Sequence, residues 1–131
     1  MTNLNEFRAA IKAAHAATAT KWREQILAAD RATGRTGALK GHARWNLDVA
    51  RGRGIRARVA AGFAADLAAA LAPIRAAWGS LPTVEVSTRD GIGTSSIWEV
   101  RKVLPDGSTA RRDALHWEWR AGVWPMQALG R

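Results

Sequence analysis

Apolar positions in the first quarter of the chain repeat with the period of an α-helix. Asn3 followed by Glu6 has the spacing of a capping box, and Gly34 is suited to follow the last helical residue. At about 100° per residue, one arc collects most of the large apolar side chains: Leu4, Phe7, Ile11, Trp22 and Ile26, together with Thr18. The pattern predicts a helix over residues 3–33. Its narrow apolar stripe also suits a homodimer formed through this helix.

The helical period returns after a glycine-rich segment. Residues 34–41 have the composition of a loop, and a short, weakly patterned helix is expected from about His42 to Arg51. The sequence Arg-Gly-Arg-Gly at 51–54 predicts a break. Residues 55–78 then carry an apolar arc of about 160°, which predicts a third helix that kinks or restarts at Pro73 and ends before residue 82.

From Thr83 onward the apolar period changes to two, which is typical of half-buried strands. The first predicted strand starts at Thr83 and turns at Asp90-Gly91, a hairpin-type dipeptide. A second strand is expected over 96–104, closed by the turn sequence Pro-Asp-Gly at 105–107. A third strand is expected over 114–121, where Leu115, Trp117 and Trp119 alternate with polar residues.

This order of elements predicts an α+β fold with two or three N-terminal helices followed by a small antiparallel three-stranded sheet. The 131 residues are expected to form a single domain. Its helical part spans 3–79, its β-meander spans 83–121, and an irregular tail spans 122–131.

Positive charge is concentrated in one segment of the chain. The formal net charge is +9, and residues 32–58 contribute +6 of it, interleaved with five glycines and one tryptophan. Arginine binds phosphate through paired N–H donors, and glycine lets a backbone approach a ligand closely. The segment therefore predicts contact with a polyanion, most often nucleic acid. The expected phosphate-contacting residues, and one base-stacking tryptophan, are Arg35, Lys40, Arg44, Trp45, Arg51, Arg53, Arg56 and Arg58.

Two details refine this interpretation, and one opposes it. A helix starting near Gly54 would aim free backbone N–H groups at a phosphate. Arg56 falls within the apolar arc of the predicted third helix, so either the first turn projects beyond the core or Arg56 pairs with an acid. The opposing interpretation is a solvated segment whose arginines face water or pair with acids elsewhere.

Seven tryptophans are many for a chain of this length. Four of them, Trp22, Trp78, Trp117 and Trp119, lie on apolar faces and are expected in the core, and Trp98 is expected to be structural as well. Trp45 and Trp124 lie outside clear periodicity and are candidate anchors for a ligand or partner.

The sequence offers little for catalysis or metal binding. Cysteine is absent and only three histidines are present, so no metal site is expected. His116, Glu118 and Arg120 would share one strand face near Asp113, which is the ordinary composition of the solvent side of a half-buried sheet. We therefore predict a protein without catalytic residues or a cofactor.

Two functions remain open at this point. The first is a small basic protein that binds nucleic acid, DNA or RNA, through residues 35–58. The alternative is a protein-interaction module, such as an inhibitor, adaptor or assembly component of a bacterial phage or mobile element, docking on an acidic partner surface. A cytoplasmic location without membrane contact is expected, because the longest run without charged residues is 121–130 and contains a proline.

Overall fold

The computed structural model of the protein describes residues 1–32, 38–89 and 96–119. It contains two helices followed by a three-stranded antiparallel sheet in the order β1-β2-β3, which confirms the predicted α+β class. The elements are α1 (Leu4–Ala32), α2 (Ala43–Gly79), β1 (Thr83–Arg89), β2 (Ser96–Val103) and β3 (Thr109–Arg111).

Helix α1 begins where its capping residues predict. The backbone N–H of Glu6 donates to Oδ1 of Asn3 at 2.9 Å, which satisfies one of the free donors of the first turn. The Glu6 carboxylate in turn accepts from the backbone N–H of Thr2 at 2.7 Å. This bond, with a second one from the Thr2 hydroxyl, lowers the pKa of Glu6 below its usual value. The predicted helix start is confirmed.

The second and third predicted helices are one continuous helix, α2, of 37 residues. The break predicted at 51–54 is wrong, because α2 runs through both glycines and through Pro73 as well. A glycine inside a helix costs about 1 kcal/mol, which packing along a long helix can offset, and Gly52 is buried. No helix begins at Gly54, so the anion site expected from free N–H groups there is wrong too. The predicted end of the helix is confirmed at Gly79.

Strand β2 pairs with both neighbours, and its penultimate residue, Lys102, lies between Thr83 of β1 and Ala110 of β3. The predicted turn after β2 is confirmed. Gly107 has a φ of 87°, a value that glycine adopts at low cost, and its N–H donates to the Leu104 carbonyl at 2.9 Å. The hairpin turn predicted at Asp90-Gly91 lies outside the described residues.

The turn after β2 also holds the start of the chain. The backbone N–H of Asp106 donates to the Thr2 carbonyl at 3.0 Å. The Asp106 carboxylate accepts from the hydroxyl and the backbone N–H of Ser108, which lowers the pKa of Asp106. Thr2 therefore joins the first turn of α1 to the β2–β3 turn.

The third strand lies earlier in the chain than predicted. β3 comprises only Thr109–Arg111, and the described residues 112–119 form successive turns rather than a strand. Leu115 is fully buried, as expected, but Trp117 is 74% exposed, so the predicted apolar strand face does not exist. The third predicted strand is therefore wrong in position, although the sheet does have three strands.

The described residues divide into two compact units, which we treat separately. The first comprises residues 1–13 and 71–119. In it Trp78 is 6% exposed, and its ring meets the edge of Phe7 with centroids 5.2 Å apart. The other large buried side chains of this unit are Ile11, Leu71, Leu104 and Leu115. The prediction that Trp78 belongs to the core is confirmed.

The second unit comprises the remaining helical residues, 14–32 and 38–70. Its buried apolar residues are Ala19, Ile26, Ala29, Phe63 and Leu67. Trp22 is half-buried against α2, where its Nε1 donates to Oδ2 of Asp66 at 2.7 Å. The same carboxylate oxygen lies 2.8 Å from Nζ of Lys21. The Asp66 carboxylate on α2 therefore accepts hydrogen bonds from two adjacent residues of α1, Lys21 and Trp22.

Asp66 gives this contact a defined pH dependence. The hydrogen bonds from Lys21 and Trp22 lower the pKa of Asp66 below its ordinary 3.8. A carboxyl whose pKa is lower in the folded state stabilises the fold above the unfolded pKa and loses that contribution as pH falls through the folded pKa. Asp66→Asn is therefore expected to unfold more easily than the wild type at pH 7. The difference should shrink below about pH 4, as measured by urea denaturation across that range.

Glu24→Gln is the matched control for this prediction. Glu24 is an exposed carboxylate of the same helix as Lys21 and forms no ion pair or hydrogen bond within the described residues. Its neutralisation should leave the pH profile of unfolding unchanged. A constant difference between Asp66→Asn and wild type from pH 7 to pH 3 would contradict the assigned role of the carboxylate.

One feature of α2 bears on membrane association. By length and composition alone the helix could cross a membrane, since one 18-residue window has a mean hydropathy of 1.4 with 17% of its residues buried. Long helices of soluble proteins pass the same test. The absence of a membrane span, expected from the lack of long uncharged runs, stays a prediction.

Candidate functional site

The basic segment lies mainly on the first half of α2, and the continuity of that helix fixes where its side chains point. Arg44, Arg51 and Arg58 are spaced seven residues apart. At about 100° and 1.5 Å per residue they fall within an arc of about 40° and extend over about 21 Å of helix axis. All three side chains belong to exposed residues. We call these three residues the arginine stripe.

The members of the arginine stripe differ in their electrostatic partners. Nε of Arg44 lies 3.1 Å from a carboxylate oxygen of Asp48, one helical turn away, although its side chain remains 70% exposed. Within the described part of the chain, neither Arg51 nor Arg58 forms an ion pair or a hydrogen bond through its side chain. An exposed pair such as that of Arg44 is worth little in water, so all three guanidinium groups can bind an anion.

A shallow cleft of about 310 Å³ lies beside the stripe. Its lining comprises Ala32 at the end of α1 and five residues of α2: Arg44, Asp48, Arg51, Gly52 and Ile55. Gly52 is the buried member of this lining. The cleft therefore has two arginines at its rim and one carboxylate within it.

The remaining predicted contact residues are not on this stripe. Arg53 is exposed but lies about 180° from Arg44 around the helix. Trp45 and Arg56 are half-buried on the side of α2 that carries the buried Gly52. Arg56 has an interaction partner, so of the two alternatives for this residue the paired one is favoured. Lys40 is exposed in the turn before α2, and Arg35 lies outside the described residues.

The structure also exposes apolar side chains that the sequence patterns did not single out. Leu47 lies among the stripe residues on α2 and is 61% exposed, and Leu39 in the preceding turn is 74% exposed. Their signal in the sequence was weak, because both lie in segments without clear periodicity.

The tryptophans that were predicted to be structural differ in their exposure. Trp98 is 68% exposed, so the prediction that it is structural is wrong. The predicted core position of Trp117 is wrong as well. Trp119 is half-buried and stacks below the guanidinium of Arg75, 5.3 Å from its ring centroid. Trp124 lies outside the described residues.

The acid–base candidates His116, Glu118 and Asp113 do not share a strand face, because residues 112–119 form turns, and Asp113 and His116 line one cleft. His116 and Glu118 lie in successive turns, and Glu118 pairs with Arg8 at 3.2 Å. No set of three or more histidine or carboxylate side chains within residues 1–32, 38–89 and 96–119 is arranged to hold a metal ion. No protein-family model, curated protein or solved structure matches this chain.

Proposed function

We propose that this protein binds nucleic acid through the arginine stripe of α2. The observation that supports the proposal most is the seven-residue spacing of Arg44, Arg51 and Arg58 on one exposed face. Phosphates follow one another at about 3.4 Å of axis per strand in a duplex, so the stripe of about 21 Å runs along about six base pairs. Guanidinium groups contact phosphate without requiring a particular base sequence.

The charge around the stripe favours a polyanion over a single small anion. Residues 38–58 carry six basic side chains and one acid, a formal charge of +5. Neighbouring cations repel one another, and a chain of phosphates neutralises this repulsion along the whole segment. Binding also releases the counterions that are condensed on the nucleic acid, which favours the complex. Lys40 and Arg53 lie next to the stripe in sequence and extend the positive field beyond it.

A second candidate is docking on an acidic protein surface. It is favoured by the exposed Leu47 and Leu39, because an apolar side chain among arginines suits a protein interface better than a phosphate backbone. In either case the protein acts by binding rather than by catalysis, and we propose a cytoplasmic location for it.

A salt titration tests the primary proposal. We expect labelled duplex DNA, single-stranded DNA or RNA to bind with an affinity that falls steeply between about 50 and 300 mM salt. Three phosphate contacts predict a log–log slope of about −2.7 on a duplex and about −2.1 on a single strand. Fluorescence anisotropy of the labelled strands measures it.

The two candidates give different results in this titration. Absence of binding to all three ligands at about 50 mM salt, where electrostatic contacts are strongest, would overturn the nucleic-acid proposal. The basic segment would then be assigned to an acidic protein partner. A slope near zero with measurable binding would instead show that the arginine stripe does not contact phosphate.

A further inference from the structure

A buried lysine lies in the other compact unit, far along the sequence from the arginine stripe. Lys102, the penultimate residue of β2, is 7% exposed. Its Nζ lies 5.8 Å from the ring centroid of Trp78, close enough for a cation–π contact. Within residues 1–32, 38–89 and 96–119, no carboxylate pairs with Lys102.

The stem of Lys102 is buried, whereas its ammonium keeps access to solvent and is neutralised by no carboxylate of the described residues. The indole face of Trp78 is its one partner among these residues, and a cation–π contact is weaker than a full ion pair with hydrogen bonds. Lys102 is therefore available to bind an anionic ligand, because no acidic group of the described residues pairs with it.

Lys102 opens onto a cleft of about 580 Å³, a volume within the range of small-molecule sites. Besides Lys102 the lining includes Trp78, Arg112, Asp113, His116 and Trp119. Arg112 is exposed, whereas Trp119 is half-buried with Arg75 stacked on its ring. The cleft thus combines two cations, one carboxylate and aromatic side chains.

We propose that this cleft binds a phosphomonoester carried by a flat ring, the chemistry of a nucleoside monophosphate. The lining carries two cations, Lys102 and Arg112, against the one carboxylate of Asp113, and both cations can donate to the oxygens of a phosphomonoester. Trp119 and His116 provide flat surfaces on which the ring stacks. The proposal does not depend on the arginine stripe, since none of these residues belongs to it.

Calorimetric titration with adenosine monophosphate tests the site. Lys102→Met keeps the apolar stem and removes the charge, and it is expected to weaken binding by about tenfold or more. Lys12→Met removes an exposed lysine of α1 and should leave the affinity unchanged. Adenosine, which lacks the phosphate, and inorganic phosphate, which lacks the ring, should each bind at least about tenfold more weakly than the nucleotide.

A second variant protects the test against a folding defect at the buried position. Arg112→Gln changes an exposed side chain and should weaken the nucleotide severalfold without altering the thermal midpoint. The proposal is overturned if adenosine monophosphate shows no saturable binding at millimolar concentration, or if both Lys102→Met and Arg112→Gln bind it as tightly as wild type. Equal affinity for adenosine and its monophosphate would also overturn it, because recognition would then not involve the phosphate.

Discussion

The double variant Arg51→Ala, Arg58→Ala is expected to bind nucleic acid up to about 60-fold more weakly than the wild type in 0.1 M salt. These two guanidinium groups have no ion-pair partner within the described residues, so their loss leaves no acid newly unpaired. Each phosphate contact contributes about 0.9 to the log–log salt slope on a duplex, so the slope should become less negative by about 1.8. Alanine is the best helix former, so α2 should persist.

Lys12→Ala, Arg23→Ala is the matched control for this variant. Both residues are exposed on α1, and their removal lowers the net charge by the same two units. If binding depends on the placement of charge, the control should keep most of the wild-type slope. Equal losses in the two double variants would indicate that only overall charge attracts the ligand, which contradicts a defined stripe.

Gly62→Ala is expected to destabilise the protein by about 1–2 kcal/mol, although alanine is the better helix former by about 1 kcal/mol. An added methyl group would lie 2.8 Å from Cζ2 of Trp22 and closer still to its Cη2. The ring cannot move away freely, because its Nε1 is held by Asp66 at 2.7 Å. Thermal or urea unfolding measures the loss.

Gly54→Ala, in the same helix, is expected to stabilise the protein. A methyl group at this position meets no atom within 4 Å, so only the gain in helix propensity remains, about 0.5–1 kcal/mol. This variant also tests the continuity of α2. If the chain broke at 51–54 in solution, alanine at residue 54 would not stabilise the fold.

A double-mutant cycle assigns the cost at Gly62 to its contact with Trp22. In the background of Trp22→Leu the ring is absent, so Gly62→Ala should there become neutral or stabilising. An unchanged cost in that background would mean that the close approach of Gly62 to Trp22 is not the cause.

Several elements could be predicted from the sequence because their signals are local. The cap of Asn3 and Glu6 is completed by residues within one turn, and Val84 and Val86 alternate with polar residues in β1. The turn at 105–107 depends on the positive φ of Gly107 and on the hydrogen bonds from Ser108 to the neighbouring Asp106 carboxylate. For these elements the neighbouring residues contain all the necessary information.

Helix α2 could not be predicted correctly because propensity and packing disagree there. Gly52 and Gly54 weaken a helix locally, yet the helix continues through both glycines and Gly52 is buried within the second unit. The predicted position of the third strand was wrong for a related reason. Leu115 is buried by tertiary packing, and Trp117 and Trp119 follow it at intervals of two residues, a spacing that predicts one face of a strand.

The candidate site was predicted as a set of residues but not as a surface. Clustering of charge identified the arginines, whereas the assumed helix break concealed that Arg44, Arg51 and Arg58 share one face. The lysine at residue 102 gave no signal, because a single lysine in a strand normally faces solvent. Its burial depends on Trp78, which is remote in sequence.

The bond between Asp106 and Thr2 has a consequence for the order in which the chain assembles during translation. At about 5–20 residues per second, the ribosome adds Asp106 about 5–20 seconds after Thr2. The unit of residues 1–13 and 71–119 therefore stays incomplete for most of synthesis. The helical pair of residues 14–32 and 38–70 is contiguous and emerges early, so the nascent chain should acquire its helical hairpin well before its sheet.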